Sequence, residues 1–235
     1  MAPFPYLLRQ GNRDLARSER VVYVWSIPAL TATLPDGTVV KTCPNAGVCA
    51  GPCYARYGTY RFRNVVDAHT WNLQYAIEKP EQWEWHLKAE LARPRYRGGK
   101  WVRIHDSGDF FAEWYARAWL RIAEVSSDVT FYAYTKEVSL MKRLEPEMPY
   151  NFLVIYSLGG REDHLIDLDR DRHADVFPDA ESLAAAGYHD QGPDDRLAPV
   201  GPIRVGIVAN NIPPALRRQA GRSFGEWQAS RRARA

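Results

Sequence analysis

The cysteines of this chain constrain its fold and chemistry more than any other feature. All three, Cys43, Cys49 and Cys53, fall within eleven positions of a 235-residue sequence. Glycines and prolines between them allow the loop to turn back and direct several side chains at one centre. Three thiolates without a fourth cysteine fit a [4Fe-4S] cluster that leaves one iron open. The loop therefore predicts a metal site.

Three other interpretations of these thiols stay open from the residues alone. A disulfide with one free thiol would close very short loops, and disulfides belong chiefly to oxidising compartments. A zinc ion would need a histidine or a water as its fourth ligand, and the Cys-x-x-Cys pairing usual at structural zinc sites is absent. Inert buried cysteines are the last alternative. We favour iron and sulfur, with Cys43, Cys49 and Cys53 as the metal ligands.

Composition predicts one well-packed domain, since 46% of the residues are hydrophobic and 12% are aromatic. No apolar run approaches the roughly 20 residues of a membrane span, and the first residues lack the pattern of a signal peptide. We therefore expect no membrane partner and a soluble, cytoplasmic protein. That location also favours reduced thiols that can bind a metal.

Charge gives only a weak indication of partners. The net charge of +3 is too small to indicate nucleic-acid binding by itself. The C-terminal tail does concentrate arginine, at Arg217, Arg218, Arg222, Arg231, Arg232 and Arg234. A solvated basic C-terminus is the commoner meaning of such a run, so nucleic acid ranks last among the partners that we consider.

Apolar runs typical of strands alternate with segments of helical periodicity. The predicted strands are 21–27, 101–105, 129–134, 152–156, 174–177 and 203–209; the predicted helices include 61–78, one opening at Pro80, 138–144 and 180–186. A hairpin over 31–41 leads into the cysteine loop. Such alternation predicts an α/β fold with a parallel sheet. We expect an irregular segment at 1–20, one domain at 21–212 and a basic tail at 213–235.

Polar residues follow several predicted strands at the points where those strands end. They are Asp106, Ser107, Gly108, Asp109, Lys136, Ser157 and Asn210. The carboxyl ends of parallel strands meet at one edge, so these residues and the cysteine loop should surround a single cavity and bind a small molecule there. Asp109 could instead cap the helix that follows it. Strand alternation should turn His105 away from the cavity if Asp106 points inward.

Three motifs in order carry a family resemblance. They are Cys-x5-Cys-x3-Cys-Tyr-Ala, the segment 103–111 (Arg-Ile-His-Asp-Ser-Gly-Asp-Phe-Phe) and the segment 132–136 (Tyr-Ala-Tyr-Thr-Lys). Together they resemble the gene product 88 family of phage and phage-derived proteins, itself similar to radical-SAM proteins. The resemblance implies a β/α (TIM-like) barrel, here small and incomplete or compressed, with the cysteine loop after its first strand.

The same resemblance implies a cluster whose fourth iron chelates S-adenosylmethionine. Residues 107–109 would then occupy the place of the segment that receives the methionine amino group. The cysteine spacing departs from the usual radical-SAM Cys-x3-Cys-x2-Cys, and Tyr54 follows the third cysteine where an aromatic residue usually precedes it. Cluster binding therefore carries over to this chain better than binding of S-adenosylmethionine does.

The first hypothesis for function is a radical-SAM-like enzyme with an unidentified substrate, an electron donor and a small-molecule ligand at the open iron. The second is an iron–sulfur redox or sensor protein that does not use S-adenosylmethionine. The third is a nucleic-acid-binding protein with a structural cluster. If the chain is encoded by a phage, its location would be the cytoplasm of a bacterial host.

Overall fold

A computed structural model describes residues 6–11, 21–209 and 217–234 of the chain. Eight strands form one sheet: β1 (Arg9–Gln10), β2 (Val22–Trp25), β5 (Lys100–Ile104), β6 (Val129–Thr135), β7 (Phe152–Ser157), β8 (His173–Phe177), β9 (His189–Asp190) and β10 (Arg204–Val208). A separate antiparallel hairpin pairs β3 (Ala32–Thr33) with β4 (Val39–Val40), as predicted, and Gly37 supplies the positive φ of its turn.

Helices connect the strands. They are α1 (Arg63–Glu78), α2 (Pro80–Leu91), α3 (Glu113–Glu124), α4 (Val138–Leu144), α5 (Ala180–Ala185), α6 (Leu197–Val200) and α7 (Phe224–Arg232). Pro80 occupies the first position of α2, where its missing N–H is harmless. Across the described residues, no helix combines the length and the apolar character that a membrane crossing requires.

The strands are ordered β1-β2-β5-β6-β7-β8-β10-β9, and every neighbouring pair is parallel except β1 with β2. This mixed α/β fold with a mostly parallel sheet confirms the predicted fold class at that level. Each of the six predicted strands overlaps an observed one, and their ends differ by at most two residues. The sequence did not predict β1 or β9, because two-residue edge strands are too short to show a period.

Side chains alternate between the two faces of the sheet. The helix-covered face packs against α2, α3 and α4 through a large apolar core that includes Trp25, Ile104 and Phe131. The opposite face, which we call the cavity face, carries a smaller apolar cluster that includes Trp101 and Tyr132. The two clusters thus lie on opposite sides of the same strands.

Both ends of the chain contribute to this architecture. The 1–20 segment, expected to be irregular, supplies β1, and the amides of Leu7 and Leu8 donate to the buried carboxylate of Glu90. The described part of the basic tail forms α7, whose capping box joins Ser223 and Glu226 and which packs against β8. The described residues of both segments, 6–11 and 217–234, therefore pack on the folded body of the protein.

Candidate functional site

A cavity of about 710 Å³ opens at the carboxyl edge of the parallel strands. Its walls include nearly all the residues that the sequence singled out: Cys43, Cys49, Cys53, Asp106, Ser107, Gly108, Asp109, Lys136 and Ser157. The parallel direction of the strands brings these distant segments together. Asn210 lies outside the described residues. The roles of the lining residues as ligands stay predictions.

The three thiols are unpaired and half-buried in this cavity. Burial raises the pKa of Cys43, and the nearby carboxylate of Asp109 raises it further. Burial also raises the pKa of Cys49 and of Cys53, although the Lys136 ammonium lowers both. The protonated thiol is therefore favoured at each position until a cation compensates the charge of the thiolate.

Several contacts fix the cysteine loop against the strand ends and the C-terminal helix. Asn45 donates its backbone N–H and its side-chain Nδ2 to the Glu137 carboxylate, at 2.8 and 2.7 Å. The Val48 N–H donates to Gln228 Oε1 on α7 at 2.9 Å. The Cys49 N–H donates to the Gly159 carbonyl at 3.3 Å. The loop is thus held at its middle from two sides.

Glycine is required where this loop approaches the rest of the molecule. A Cβ atom added at Gly47 would lie 2.6 Å from the Gly159 carbonyl oxygen and 2.3 Å from Gln228 Oε1. Gly159 itself has φ +95°, and an added Cβ there would lie 3.0 Å from Phe224 Cβ. The backbone of the loop, the β7 end and α7 therefore pack at distances that only glycine permits.

The cysteine loop supplies the right kind of metal ligand in one cavity, but its thiols are not arranged in space as a metal site. Its three free thiols share one cavity and influence one another electrostatically. Within the described parts of the chain, no three Cys, His, Asp or Glu side chains are arranged as a group that could hold a metal ion. Binding of a cluster would thus have to draw the thiols together, as ligand-coupled ordering of a loop does.

Asp109 does not cap the following helix, so that alternative is wrong. The helix α3 begins at Glu113, with Ala112 at its N-cap and no side-chain cap. The buried Asp109 carboxylate instead accepts from Thr135 Oγ1 at 2.6 Å and from the Lys136 N–H at 2.9 Å. Burial raises the pKa of Asp109, and these hydrogen bonds oppose that rise. Asp109 therefore joins the ends of β5 and β6.

Lys136 is held at the end of β7 and does not project freely from the rim. Its Nζ donates to Ser157 O at 2.9 Å, to Ser157 Oγ at 2.8 Å and to Leu158 O at 3.1 Å. The three hydrogen bonds use all three ammonium protons at the carboxyl end of β7. Lys136 places a fixed positive charge beside Cys49.

His105 points away from the cavity and Asp106 points toward it, as expected, but the cause is a left-handed backbone at His105 and not regular strand alternation. His105 has φ +67°, and its Nε2 lies 2.9 Å from the Tyr115 hydroxyl on α3. Regular alternation would have placed His105 on the cavity face beside Arg103. The left-handed residue reverses this order, so Asp106 turns toward the cavity and lies 3.3 Å from Arg103. Burial lowers the pKa of His105 to about 3.

A polar cluster on the cavity face was not predicted from the sequence. Arg103 forms ion pairs with Asp106 and with Asp195, at 3.3 and 3.4 Å, and its guanidinium stacks over the Tyr134 ring. Tyr132 and Tyr134 donate their hydroxyls to Asp195. Burial alone would lower the pKa of Arg103, but the carboxylates of Asp195 and Asp106 raise it well above its usual value. Arg103 is therefore a permanent cation in the cavity wall.

Sequence reasoning also missed Glu137 and Gln228, whose side chains accept hydrogen bonds from the cysteine loop. Glu137 directly follows Lys136 at a strand end, a position that could have drawn attention to it. Burial, assisted by the charge of Asp109, raises the pKa of Glu137 to about 8. Gln228 lies 180 positions from Val48, and nothing in the local sequence indicates their contact.

These features define a class: a mixed α/β protein whose mostly parallel sheet carries, at its carboxyl edge, one cavity lined by three free cysteines and by charged strand-end residues. The chain belongs to the gene product 88 family, whose model matches residues 6–235.

Two curated phage proteins are similar to it, the Gene 88 proteins of Mycobacterium phage L5 and of Mycobacterium phage D29. Each is 30% identical over 132 residues. The aligned region covers 53% of this chain and 54% of each relative, so the chain spans about half the length of the curated relatives it matches. No solved structure matches the chain.

Proposed function

We propose that this protein binds a [4Fe-4S] cluster through Cys43, Cys49 and Cys53, leaves one iron open, and acts in a radical-SAM-like manner on a substrate in the adjoining cavity. One observation carries the proposal: the three cysteines of the chain are unpaired and line one cavity at the carboxyl edge of a parallel sheet. When bound, such a cluster supplies one-electron chemistry and an iron that can accept a ligand.

The proposal extends to the fold. An incomplete β/α barrel would place helices on one face of a curved parallel sheet and the site on the other. The observed division between the helix-covered face and the cavity face supports this arrangement.

An electrostatic argument supports the proposed cluster ligands. The fixed Lys136 ammonium would stabilise thiolates beside it.

Strand-end residues supply the binding surface in this proposal. Ser107 and Asp109 are buried beside the cysteine loop, and the Asp109 N–H donates to the Thr42 carbonyl, one residue before Cys43. The Gly108 turn approaches Ile27 so closely that an added Cβ would lie 2.3 Å from its Cγ1. Their role would be to orient a polar ligand against the open iron and to exclude water.

Anaerobic purification and reconstitution test the cluster. We expect about four iron and four sulfide per chain, as for a cubane held by three thiolates. Cys43→Ala, Cys49→Ala and Cys53→Ala should each lose most of the iron, whereas Asp109→Asn should keep it. Stoichiometric zinc in place of iron, or full iron content in all three cysteine variants, would exclude the proposed ligand set.

Electron paramagnetic resonance of the reduced protein separates the two iron–sulfur functions. Addition of S-adenosylmethionine should shift the spectrum if the open iron chelates it, and Asp106→Ala should weaken that shift while the iron content stays unchanged. A spectrum that does not respond to S-adenosylmethionine favours the redox or sensor function at the same cluster.

A further inference from the structure

The rim of the cavity beside Cys53 is formed by a segment rich in arginine and aromatic residues. Residues 54–63 read Tyr-Ala-Arg-Tyr-Gly-Thr-Tyr-Arg-Phe-Arg, and Tyr54 and Tyr60 line the cavity itself. No Asp or Glu occurs anywhere between Asp36 and Asp67. The positive charge of this rim is therefore not balanced along the chain.

The arginines of the rim are available to a ligand. Arg56, Arg61 and Arg63 are all exposed. Within the described residues, Arg56 and Arg61 have no ion pair, and Arg63 meets Asp67 only at 3.6 Å, with both side chains largely in solvent. Such an exposed ion pair contributes little to stability, so Arg63 can readily leave Asp67 to contact a phosphate. By contrast, Arg103 inside the cavity is already paired with two carboxylates.

The helix that follows does not explain these charges. Phe62 is the N-cap of α1, no side chain caps this end, and its first turn contains Arg63 but no acidic residue. A helix N-terminus favours acidic residues, so an arginine here opposes the helix dipole. The distribution of charge is thus unfavourable for the helix, and an anion bound beside it would offset the unfavourable charge.

Aromatic rings lie between the arginines and are partly exposed. Phe62 is 59% exposed and Tyr54 is 41% exposed. The hydroxyls of Tyr54 and Tyr60 donate to the backbone carbonyl and to the carboxylate of Asp106, respectively, which fixes the orientation of both rings. Phe62 and Tyr54 therefore present exposed aromatic surface on which planar groups can stack.

We propose that residues 54–63 bind single-stranded nucleic acid, with phosphates at Arg56, Arg61 and Arg63 and with bases stacked on Phe62 and the neighbouring tyrosines. Arginines interleaved with aromatic rings are the combination that single-strand binding uses. The exposed Asp190 also lines the cavity and would repel a flat anionic membrane laid across the cavity mouth. A flexible strand can follow the basic rim alone. This inference goes beyond the proposed cluster and does not depend on it.

Fluorescence anisotropy with the full chain tests this surface, using labelled mixed-sequence DNA and RNA strands of about 15 nucleotides, within the site sizes known for single-strand binding. Arg56→Gln/Arg61→Gln should weaken binding at least tenfold and make the dependence of log K on log salt shallower by about 1.4, for two lost phosphate contacts. Phe62→Ala should weaken binding about 5- to 150-fold and leave the salt dependence unchanged.

Arg97→Gln/Arg170→Gln is the matched control. Both arginines are exposed and shortly precede β5 and β8, at the edge of the sheet opposite the cavity. This variant removes the same charge and should bind as the wild type does. Circular dichroism of each variant verifies its fold, and the exposed Phe62 ring can be removed without opening the core.

Several results would overturn the inference: equal weakening in the Arg97/Arg170 variant, no effect of Phe62→Ala, or tighter binding to phosphatidylserine vesicles, polyglutamate or duplex DNA than to single strands. Measurements on cluster-free and reconstituted protein separate this inference from the proposed function. If the protein binds single strands but takes up no iron on reconstitution, the inference stands and the cluster is rejected. If it takes up iron but binds no single strands in either form, the cluster stands and the inference is rejected.

Discussion

The two faces of the sheet are built from the same strands and yet have opposite characters. On β5, Val102 and Ile104 pack against the helices, whereas Arg103 between them faces Asp195 across the cavity face. On the helix-covered face, aromatic rings pack closely, as Trp83 does against Tyr115 with 5.2 Å between ring centroids. A period of two residues therefore lets each strand contribute to a core and to a site at once.

The largest expected effect is on the helix-covered face. Trp119→Ala removes a fully buried ring that packs against Trp83 and should lower the free energy of unfolding by about 3–5 kcal/mol. Urea denaturation measures this loss. Trp114→Ala, which removes the same residue type from the exposed side of α3, should cost far less. Equal losses would contradict the assignment of the main core to the helix-covered face.

On the cavity face, the charge cluster should matter more than packing. Arg103→Met leaves Asp106 and Asp195 without their cation and should lower the free energy of unfolding by about 2–3 kcal/mol, because an unpaired buried charge is strongly unfavourable. Arg103→Met/Asp195→Asn should recover part of that loss in the same urea experiment.

Arg143→Met is the control for Arg103→Met, since Arg143 forms an exposed ion pair with Glu113. Exposed pairs are screened by water, so this variant should change stability little. A loss in Arg103→Met no larger than the loss in Arg143→Met would show that the cavity face is fully hydrated and that its ion pairs are not structural.

The helix-covered face was more predictable than the cavity face, for a physical reason. Apolar periodicity is a local property of the chain, so the strands around Trp25, Ile104 and Phe131 could be read directly from it. The strand ends could be placed at one edge because parallel strands share a direction, and that placed the cysteines near Asp109. Predicting the strands needs only local patterns, and predicting the shared edge needs only the rule that parallel strands end on the same side.

The contacts that complete the site were not predictable because they join distant positions. Val48 meets Gln228 across 180 positions, and Arg103 meets Asp195 across 92. The orientation of His105 depends on a left-handed backbone that its sequence does not require. Aspartate just before a helix is a common N-cap, so the sequence allows a cap at Asp109, but Thr135 and Lys136 donate to its carboxylate instead.

Glu137 should make the stability of the cysteine loop depend on pH. Its folded-state pKa of about 8 lies above the ordinary glutamate value of 4.5, because burial and then the charge of Asp109 disfavour the carboxylate. The folded state therefore binds the proton more tightly. The resulting stabilisation is complete below about pH 4.5 and is lost as the pH rises to about 8.

The measurement is the free energy of unfolding from pH 5 to pH 8 in the wild type and in Glu137→Gln. The variant should lack a decline on the order of 3 kcal/mol that the wild type shows over this range. Glu124→Gln, at the exposed end of α3, controls for the change of charge. Parallel curves for the wild type and Glu137→Gln would show that Glu137 does not titrate in this range.

The smallest expected effect concerns the contact between the cysteine loop and α7. Gln228→Ala removes the acceptor of the buried Val48 N–H and should weaken the loop by about 1 kcal/mol, the usual contribution of such a hydrogen bond. Because thiols react when the loop opens locally, that loss should speed modification of the metal-free protein by a disulfide reagent about fivefold. Gln82→Ala, on the exposed side of α2, should leave the rate unchanged. If Gln228→Ala reacts no faster than Gln82→Ala, then α7 does not hold the loop closed, and the strand-end contacts of Asn45 and Cys49 alone determine access to the thiols.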